Sequence, residues 1–291
     1  MPAVLLATCD ELPDGDEDGA ILLDALAALD VSARWAAWTD PDIEWATGLV
    51  VLRSTWDYTN DREAFLRWVA GLPRVANHAA VVQWNTDKVY LGELAAAGVP
   101  TVPTAFAGPG SRVTFPDGME FVVKPSVGAG SRGVGRFTPD RVDAAAQHVS
   151  QLHAAGRTVL VQPYLDAVDA AGETALIYVD GVFSHAVRKG PMLPDGVAHP
   201  VQGWELYIEE QISPRTPDDA ELAVGAAALD AVRRRFGAAQ LYTRVDLLPS
   251  PDGPVVVELE LTEPSLFLQY GSGDADPAST FAVAIAQRVA P

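Results

Sequence analysis

The run LYTRVDLLPSPDGPVVVELEL, residues 241–261, admits very few folds. Two mostly apolar segments flank PSPDGP, a turn that brings the second segment back along the first. Successive side chains of a strand point to opposite faces. Leu241, Thr243, Val245 and Leu247 therefore share one face, and Arg244 and Asp246 the other. On the partner, Val255, Val257, Leu259 and Leu261 face one way and Glu258 and Glu260 the other. If the apolar faces coincide, Arg244, Asp246, Glu258 and Glu260 converge. Three carboxylates on otherwise apolar strands cannot all stay ionised without a counter-charge. The face is either solvated or a cation site. We favour Mg2+, which takes oxygen ligands and completes its shell with phosphate and water, with Asp246, Glu258 and Glu260 as candidate ligands.

Positive charge is scarce elsewhere. The formal net charge of −19 argues against nucleic-acid or anionic-membrane partners, so an anionic ligand needs a locally built cluster. Of the 20 basic residues only three are lysines: Lys88, Lys124 and Lys189. Lys124 sits in FVVKPSVGAGSRGVG (121–135), just before a glycine-rich stretch. GAGSRG fits G-x-G-x-x-G, but the dinucleotide reading needs a helix directly after it. Here VGRF follows, which reads as a second strand, and no Lys-Ser or Lys-Thr follows as in a P-loop. The stretch is thus a β-hairpin with a glycine tip, able to lay backbone N–H groups over a polyphosphate. A plain surface hairpin is the alternative. Lys124 favours the phosphate reading, because an ammonium on an apolar strand needs an anion to meet.

Alternation of strands (AVLLAT, VSARWAAW, GLVVLRS) with helices (one in DGDEDGAILLDALAALD, apolar at Ile21, Leu22, Ala25, Leu26 and Leu29, and REAFLRWVAGL) predicts a small parallel α/β unit over residues 1–80. RSTWDY (53–58) falls beyond a strand's carboxyl end, where such sheets bind ligands. NTDKVYLGELAAAG predicts one helix capped by Asn85 or Thr86. Two further lobes are expected at 81–165 and 166–291, with strands around the Asp180-Gly181 turn, a long functional loop at 190–204, a helix at 217–236 and a closing helix. One cysteine excludes an intrachain disulfide, and the short apolar start lacks a basic leader, so a cytoplasmic protein is expected. Among the histidines, His148 and His153 are expected on a helix surface, and His185 and His199 near the site.

Together these motifs resemble the ATP-grasp superfamily of carboxylate–amine ligases, and VLRSTWDY, NTDKVYL and ELELTEPSLF resemble its D-cycloserine synthetase subgroup. The resemblance implies an α/β chain: two α+β lobes of the ATP-grasp fold behind an N-terminal parallel α/β domain, using ATP and Mg2+. It assigns nucleotide contacts to Lys88, Lys124, Ser126, Gly128, Gly130, Ser131 and Gly133. Gln162, Tyr164 and Leu165 match the adenine-reading hinge, and Glu173 the ribose acid. Arg244 and Asp246 match the Arg-x-Asp strand, and Glu258 the second metal carboxylate. The chain has Glu258-Leu-Glu260 where the family commonly has Glu-x-Asn. Arg244, Arg188 and Lys189 are the implied catalytic cations beside the transferred phosphoryl group.

Substrate candidates are Arg53, Trp56, Asp57, Tyr58, Glu263 and Ser265. Arg53 either grips a carboxylate or pairs with Asp57; Trp56 and Tyr58 either contact substrate or pack in the core. The partner is expected to be a small amino-acid-like molecule, and a homodimer is left open. The leading expectation is ATP-dependent ring closure of O-ureido-D-serine to D-cycloserine. An intermolecular amino-acid ligase and a non-catalytic nucleotide-binding protein are the alternatives.

Overall fold

A computed structural model describes residues 3–191, 211–271 and 276–289, and arranges the strands in three sheets. β1 (Val4–Thr8), β2 (Ala33–Ala37), β3 (Leu49–Ser54) and β4 (Val75–Ala76) form a parallel sheet in the order β2-β1-β3-β4. The crossover helices include α1 (Gly19–Ala27) and α2 (Arg62–Gly71), the latter begun by an Asp61 side chain that accepts from Ala64 N. Every residue of β1 and β3 is buried, as strands covered on both faces require. Two short helices follow, α3 (Ala79–Asn85) and α4 (Tyr90–Ala96). The second sheet is antiparallel, with β5 (Ala105–Ala107), β6 (Phe121–Pro125), β7 (Gly135–Phe137) and β8 (Val159–Pro163) in the order β5-β8-β6-β7. It packs on α5 (Val142–Ala154) through its own core of Phe121, Val123, Phe137, Val149 and Leu152.

After α6 (Ala167–Ala171) come β9 (Glu173–Val179), β10 (Val182–Lys189), β11 (Ile212–Pro214), α7 (Asp219–Phe236), β12 (Tyr242–Leu248), β13 (Val255–Glu260) and α8 (Pro277–Val289). The third sheet is antiparallel, ordered β11-β10-β9-β12-β13. Asp180 and Gly181, both at positive φ (54° and 76°), make the tight turn between β9 and β10 that their dipeptide predicts. The expected loop at 190–204, with His199, lies outside the described residues from 192 onward. Among the described residues no helix is long and apolar enough to cross a membrane.

The helix expected from a cap at Asn85 or Thr86 begins only at Tyr90, and Asn85 instead ends the preceding helix, α3. β13 is a sheet edge, and its outward backbone groups need partners. Asn85 supplies them: its Nδ2 donates to Leu259 O at 2.7 Å and its Oδ1 accepts from Leu261 N at 2.7 Å. Tyr90 Oη accepts from Leu259 N at 3.0 Å. The segment between these anchors carries Lys88. The apolar faces of α3 and α4 (Val81, Tyr90, Leu91, Leu94) pack with α7 and with Val245, Val256 and Leu259 of the third sheet. Residues 81–99, expected with the second sheet, are thereby fastened to the third.

One apolar cluster joins the first and third sheets, running from Leu6 and Val51 through Leu22, Leu26, Phe281 and Ile285 to Ile177 and Val187. Full burial of each large side chain there contributes roughly 1.5–3 kcal/mol. Asn77 reinforces the joint. It is buried at φ 61°, donates Nδ2 to Tyr242 O (2.9 Å) and Leu261 O (2.7 Å), and accepts from Leu241 N (2.8 Å). Asn77→Ala strips three backbone groups of a partner and burdens a left-handed residue with less favourable chemistry. It should lower stability by about 2–4 kcal/mol, read by urea unfolding.

Candidate active site

The β12–β13 ladder pairs Arg244 with Glu260 and Asp246 with Glu258, on the face the alternation predicts. Counter-charges surround the acids. Arg244 grips Asp246 bidentately, with Nε to Oδ1 and Nη2 to Oδ2 both at 2.9 Å, and also contacts Glu260. Lys189 lies 2.7 Å from Glu173 and 3.5 Å from Asp246. Lys88 meets Glu258 at 2.9 Å and donates to Gly128 O at 2.7 Å. Burial opposes the charge on Asp246, but Arg244 and Lys189 hold its carboxyl below the usual range. Burial likewise opposes the charge on Glu258, and Lys88 and Lys124 pull it down. Glu260 goes the other way: burial, with Glu258 beside it, lifts it to about 7 despite Arg244.

A cavity of about 890 Å³ opens over this face. Glu258 and Glu260 line it, whereas Asp246 lies just behind, 1% exposed, under Arg244 and Lys189. Among the described residues no group of three carboxylate, imidazole or thiol side chains is arranged to hold a metal ion. The facing pair Asp246–Glu258 does match the one or two carboxylates that Mg2+ takes when phosphates and water supply the rest.

The glycine tip forms the opposite wall. Gly128, Gly130 and Ser131 line the cavity; Ser126 and Gly133 do not, Ser126 instead accepting Lys88 N at 2.8 Å through its carbonyl. Gly133 has φ 72°, and an added Cβ would lie 3.4 Å from the Pro125 ring, so only glycine closes the hairpin without strain. Lys124 is buried at the end of β6, its pKa lowered by burial. No hydrogen bond holds its ammonium among the described residues. Gln162, Tyr164, Leu165 and Glu173 line one side. Arg136 stacks on the Tyr164 ring at 3.6 Å and is fixed by Glu120 at 2.6 Å, which stiffens that wall.

Arg188 stands apart from the cavity. Its guanidinium donates to the carbonyls of Ala171 (2.5 Å) and Ala170 (3.1 Å), capping α6. Gly172 beside it, at φ 75°, leaves no room for a Cβ, which would sit 2.5 Å from Lys189 O.

On the N-terminal side Trp56, Tyr58, Glu263 and Ser265 line the cavity; Arg53 and Asp57 do not. Arg53 is 0% exposed, 3.5 Å from Asp18 and between the rings of Tyr242 and Phe281, each 5.6 Å from its Cζ. Its partner is Asp18, not Asp57, whose carboxylate accepts from Trp38 Nε1 at 2.7 Å. Asp18 in turn accepts from Leu266 N (2.8 Å) and Leu268 N (2.6 Å), so Arg53 braces the 265–268 wall from behind. His148 is buried, bonded to Gly133 O at 2.8 Å, and not on a helix surface; His185 is buried against Leu266 O at 2.8 Å, behind the wall.

Sequence reasoning missed Asp16. It lines the cavity, accepts from Ser265 Oγ at 3.3 Å, and its buried Oδ1 has no hydrogen-bond partner among the described residues. Burial and Asp18 raise it to about 6. In the sequence it is one acid of the turn DGDEDG, with nothing to single it out.

Comparison with known proteins identifies the scaffold. The family described as "D-cycloserine synthetase DcsG, N-terminal domain" matches residues 4–79. The cycloserine biosynthesis protein DcsG of Streptomyces lavendulae is 38% identical over 95% of both chains. The chain belongs to the D-cycloserine synthetase family. The crystal structure of D-cycloserine synthetase DcsG superposes with a TM-score of 0.87 at 37% identity, covering 99% of each chain. A RimK-domain ATP-grasp protein from Sphaerobacter thermophilus, at 19% identity and TM-score 0.64 over 98% of this chain and all of that one, shares the fold. The chain has the ATP-grasp fold and is an ATP-dependent ligase of this family, forming carbon–nitrogen bonds.

Two outcomes follow from the site. Lys124→Gln should raise KM for ATP roughly 10-fold or more, the loss of a charge-assisted contact, measured by ADP release. Burial, with Glu260 nearby, pushes Glu263 from 4.5 up to about 8. The folded chain then keeps a proton that the unfolded chain has released. This group therefore leaves stability intact below pH about 4.5 and removes it as pH rises to about 8, with a slope of up to roughly 1.4 kcal/mol per pH unit. Glu263→Gln should flatten the ligand-free stability profile between pH 6 and 8 in chemical unfolding.

Proposed function

We propose that this enzyme activates the carboxylate of O-ureido-D-serine with ATP and closes the molecule on itself to give D-cycloserine. One observation carries the reading: a single cavity joins a cluster of cations to an N-terminal wall of acidic, aromatic and hydroxyl side chains. Lys88, Lys124 and the tip at 128–131 flank the nucleotide end, while Asp16, Trp56, Tyr58 and Ser265 flank the other. Kinship with the D-cycloserine synthetase DcsG supports the choice of substrate.

A carboxylate oxygen attacks the γ-phosphorus of ATP, forming an acyl phosphate and releasing ADP. The ureido nitrogen bonded to oxygen then attacks the acyl carbon and gives up its proton, the C–O bond to phosphate breaks, a five-membered ring closes, and hydrolysis of the carbamoyl group left on the ring nitrogen, released as CO2 and NH3, gives D-cycloserine. Because nucleophile and electrophile share one molecule, holding the chain folded converts the closure into a proximity effect. Asp16, which lines the cavity beside Ser265, is the acceptor for the substrate's ammonium. Asp246 and Glu258 would hold Mg2+, which supplies charge neutralisation at the phosphates. Arg244 is held by Asp246, Glu260 and Ser265 O (3.1 Å), so it meets the developing oxyanion without reorganising. Lys189, between Glu173 and Asp246, adds positive charge beside the transferred group.

Mg-ATP with O-ureido-D-serine as sole co-substrate should yield ADP and phosphate in equal amounts and a product of cycloserine mass. Arg244→Gln should cut kcat by about 10²–10³ with KM for ATP nearly unchanged. ADP release that requires a separate amine would assign the site to an intermolecular ligase instead.

A further inference from the structure

Arg132 sits in the glycine tip, yet its guanidinium reaches out of it. Nη2 donates to Trp56 O at 3.0 Å and to Thr59 Oγ1 at 2.7 Å, while Nε makes a long contact of 3.4 Å to Ala129 O. A second arginine reinforces the same joint. Arg157 donates Nη1 to Val127 O at 3.0 Å and Nη2 to Thr59 O at 3.2 Å. All five acceptors are neutral oxygens, and the two guanidiniums lie close enough that Arg157 helps lower the pKa of Arg132, after burial. Keeping two like charges half-buried over one short turn is an arrangement that geometry alone does not need.

The turn they clasp is the substrate wall. Trp56 and Tyr58 line the cavity, and the Trp56 indole donates to Glu263 O at 3.0 Å. A ligand resting against Trp56 and Tyr58 therefore touches the segment that supplies the acceptors for Arg132. On the other side, the tip carries Gly128, Gly130 and Gly133, and Gly130, Ser131 and Gly133 have positive φ (60°, 58° and 72°). Such a segment loses much conformational freedom when it closes, so whatever fixes its far end biases closure.

We propose that Arg132 is a positioning residue that clasps the phosphate-covering tip to the substrate turn, so that nucleotide and substrate tighten each other's binding. The inference rests on the functional reading above. A filled substrate wall steadies residues 56–59, these hold Arg132, and the tip stays over the polyphosphate. An empty wall leaves the tip free to open. Linkage requires the tightening to be reciprocal: the factor by which substrate improves nucleotide affinity equals the factor by which nucleotide improves substrate affinity.

Two measurements on the full chain test this, with Arg132→Gln and Thr59→Val, the latter removing only the hydroxyl acceptor. The first is hydrogen exchange with Mg2+ and a non-hydrolysable ATP analogue. In the parent enzyme amides 128–134 and 56–59 should gain protection together. In both variants the tip should lose that gain, while exchange in α7 and β9 is unchanged and reports an intact fold. The second is calorimetric titration of the analogue with and without O-ureido-D-serine. The parent coupling factor should be roughly 5-fold or more, falling towards one in either variant, with the double variant no lower than Arg132→Gln alone. Parent-like protection of the tip in Thr59→Val and Arg132→Gln overturns the proposal, as does a coupling factor of one in a parent enzyme that binds both ligands. If the parent fails to bind O-ureido-D-serine while the exchange pattern is as expected, the substrate assignment is at fault and the clasp stands.

Discussion

Everything at the site depends on the mutual neutralisation of buried charges across β12 and β13. Asp246, Glu258 and Glu260 lie among apolar strands where an isolated carboxylate would be too costly to ionise. Arg244 and Lys189, 2.9 Å and 3.5 Å from Asp246, and Lys88, 2.9 Å from Glu258, make it tolerable. In the proposed mechanism these same cations meet the polyphosphate. The protein keeps them positioned by giving them internal anions, and a nucleotide that enters with a divalent cation can exchange partners with little rearrangement.

The fold follows from that requirement. An acid-bearing ladder at a sheet edge needs its edge sealed, and Asn85 and Tyr90 seal β13 while delivering Lys88 to Glu258. The wall facing it needs bracing from behind. Arg53, Asp18 and the amides of Leu266 and Leu268 form that brace, and Asn77 ties the first sheet to the third just beside it. The second sheet, with a core of its own, contributes the glycine tip and meets the 56–59 turn through Arg132 and Arg157. The site is thus where the three sheets meet, which is where polar groups can be exposed to ligand yet rigidly held.

What could be read beforehand follows from how local each signal is. Strand alternation in TRVD and VELEL places Arg244, Asp246, Glu258 and Glu260 on one face because the period of two is a backbone property. The absence of a helix after Gly133 follows from VGRF for the same reason. Partner choice is another matter. Arg53 pairs with Asp18, 35 positions away, not with nearby Asp57, and Asn85 serves a strand 174 residues on instead of capping a helix. Asp16 is indistinguishable from its acidic neighbours until folding sets it in the cavity wall beside Ser265. Arg188 and Lys189 are adjacent, but the alternation of β10 sends them to opposite faces, one to cap a helix and one to the acids. Tertiary contacts set these roles, and no short window of sequence contains them.

If the charge ladder serves to activate a carboxylate by phosphoryl transfer, a substrate oxygen must pass to phosphorus. The most direct test is to supply O-ureido-D-serine with both carboxylate oxygens replaced by oxygen-18 and to weigh the products of one turnover with Mg-ATP. One labelled oxygen should appear in the released phosphate and one should remain in the ring carbonyl. Unlabelled phosphate alongside ring-closed product would contradict this transfer, because the carboxylate oxygen would then never have bonded to phosphorus.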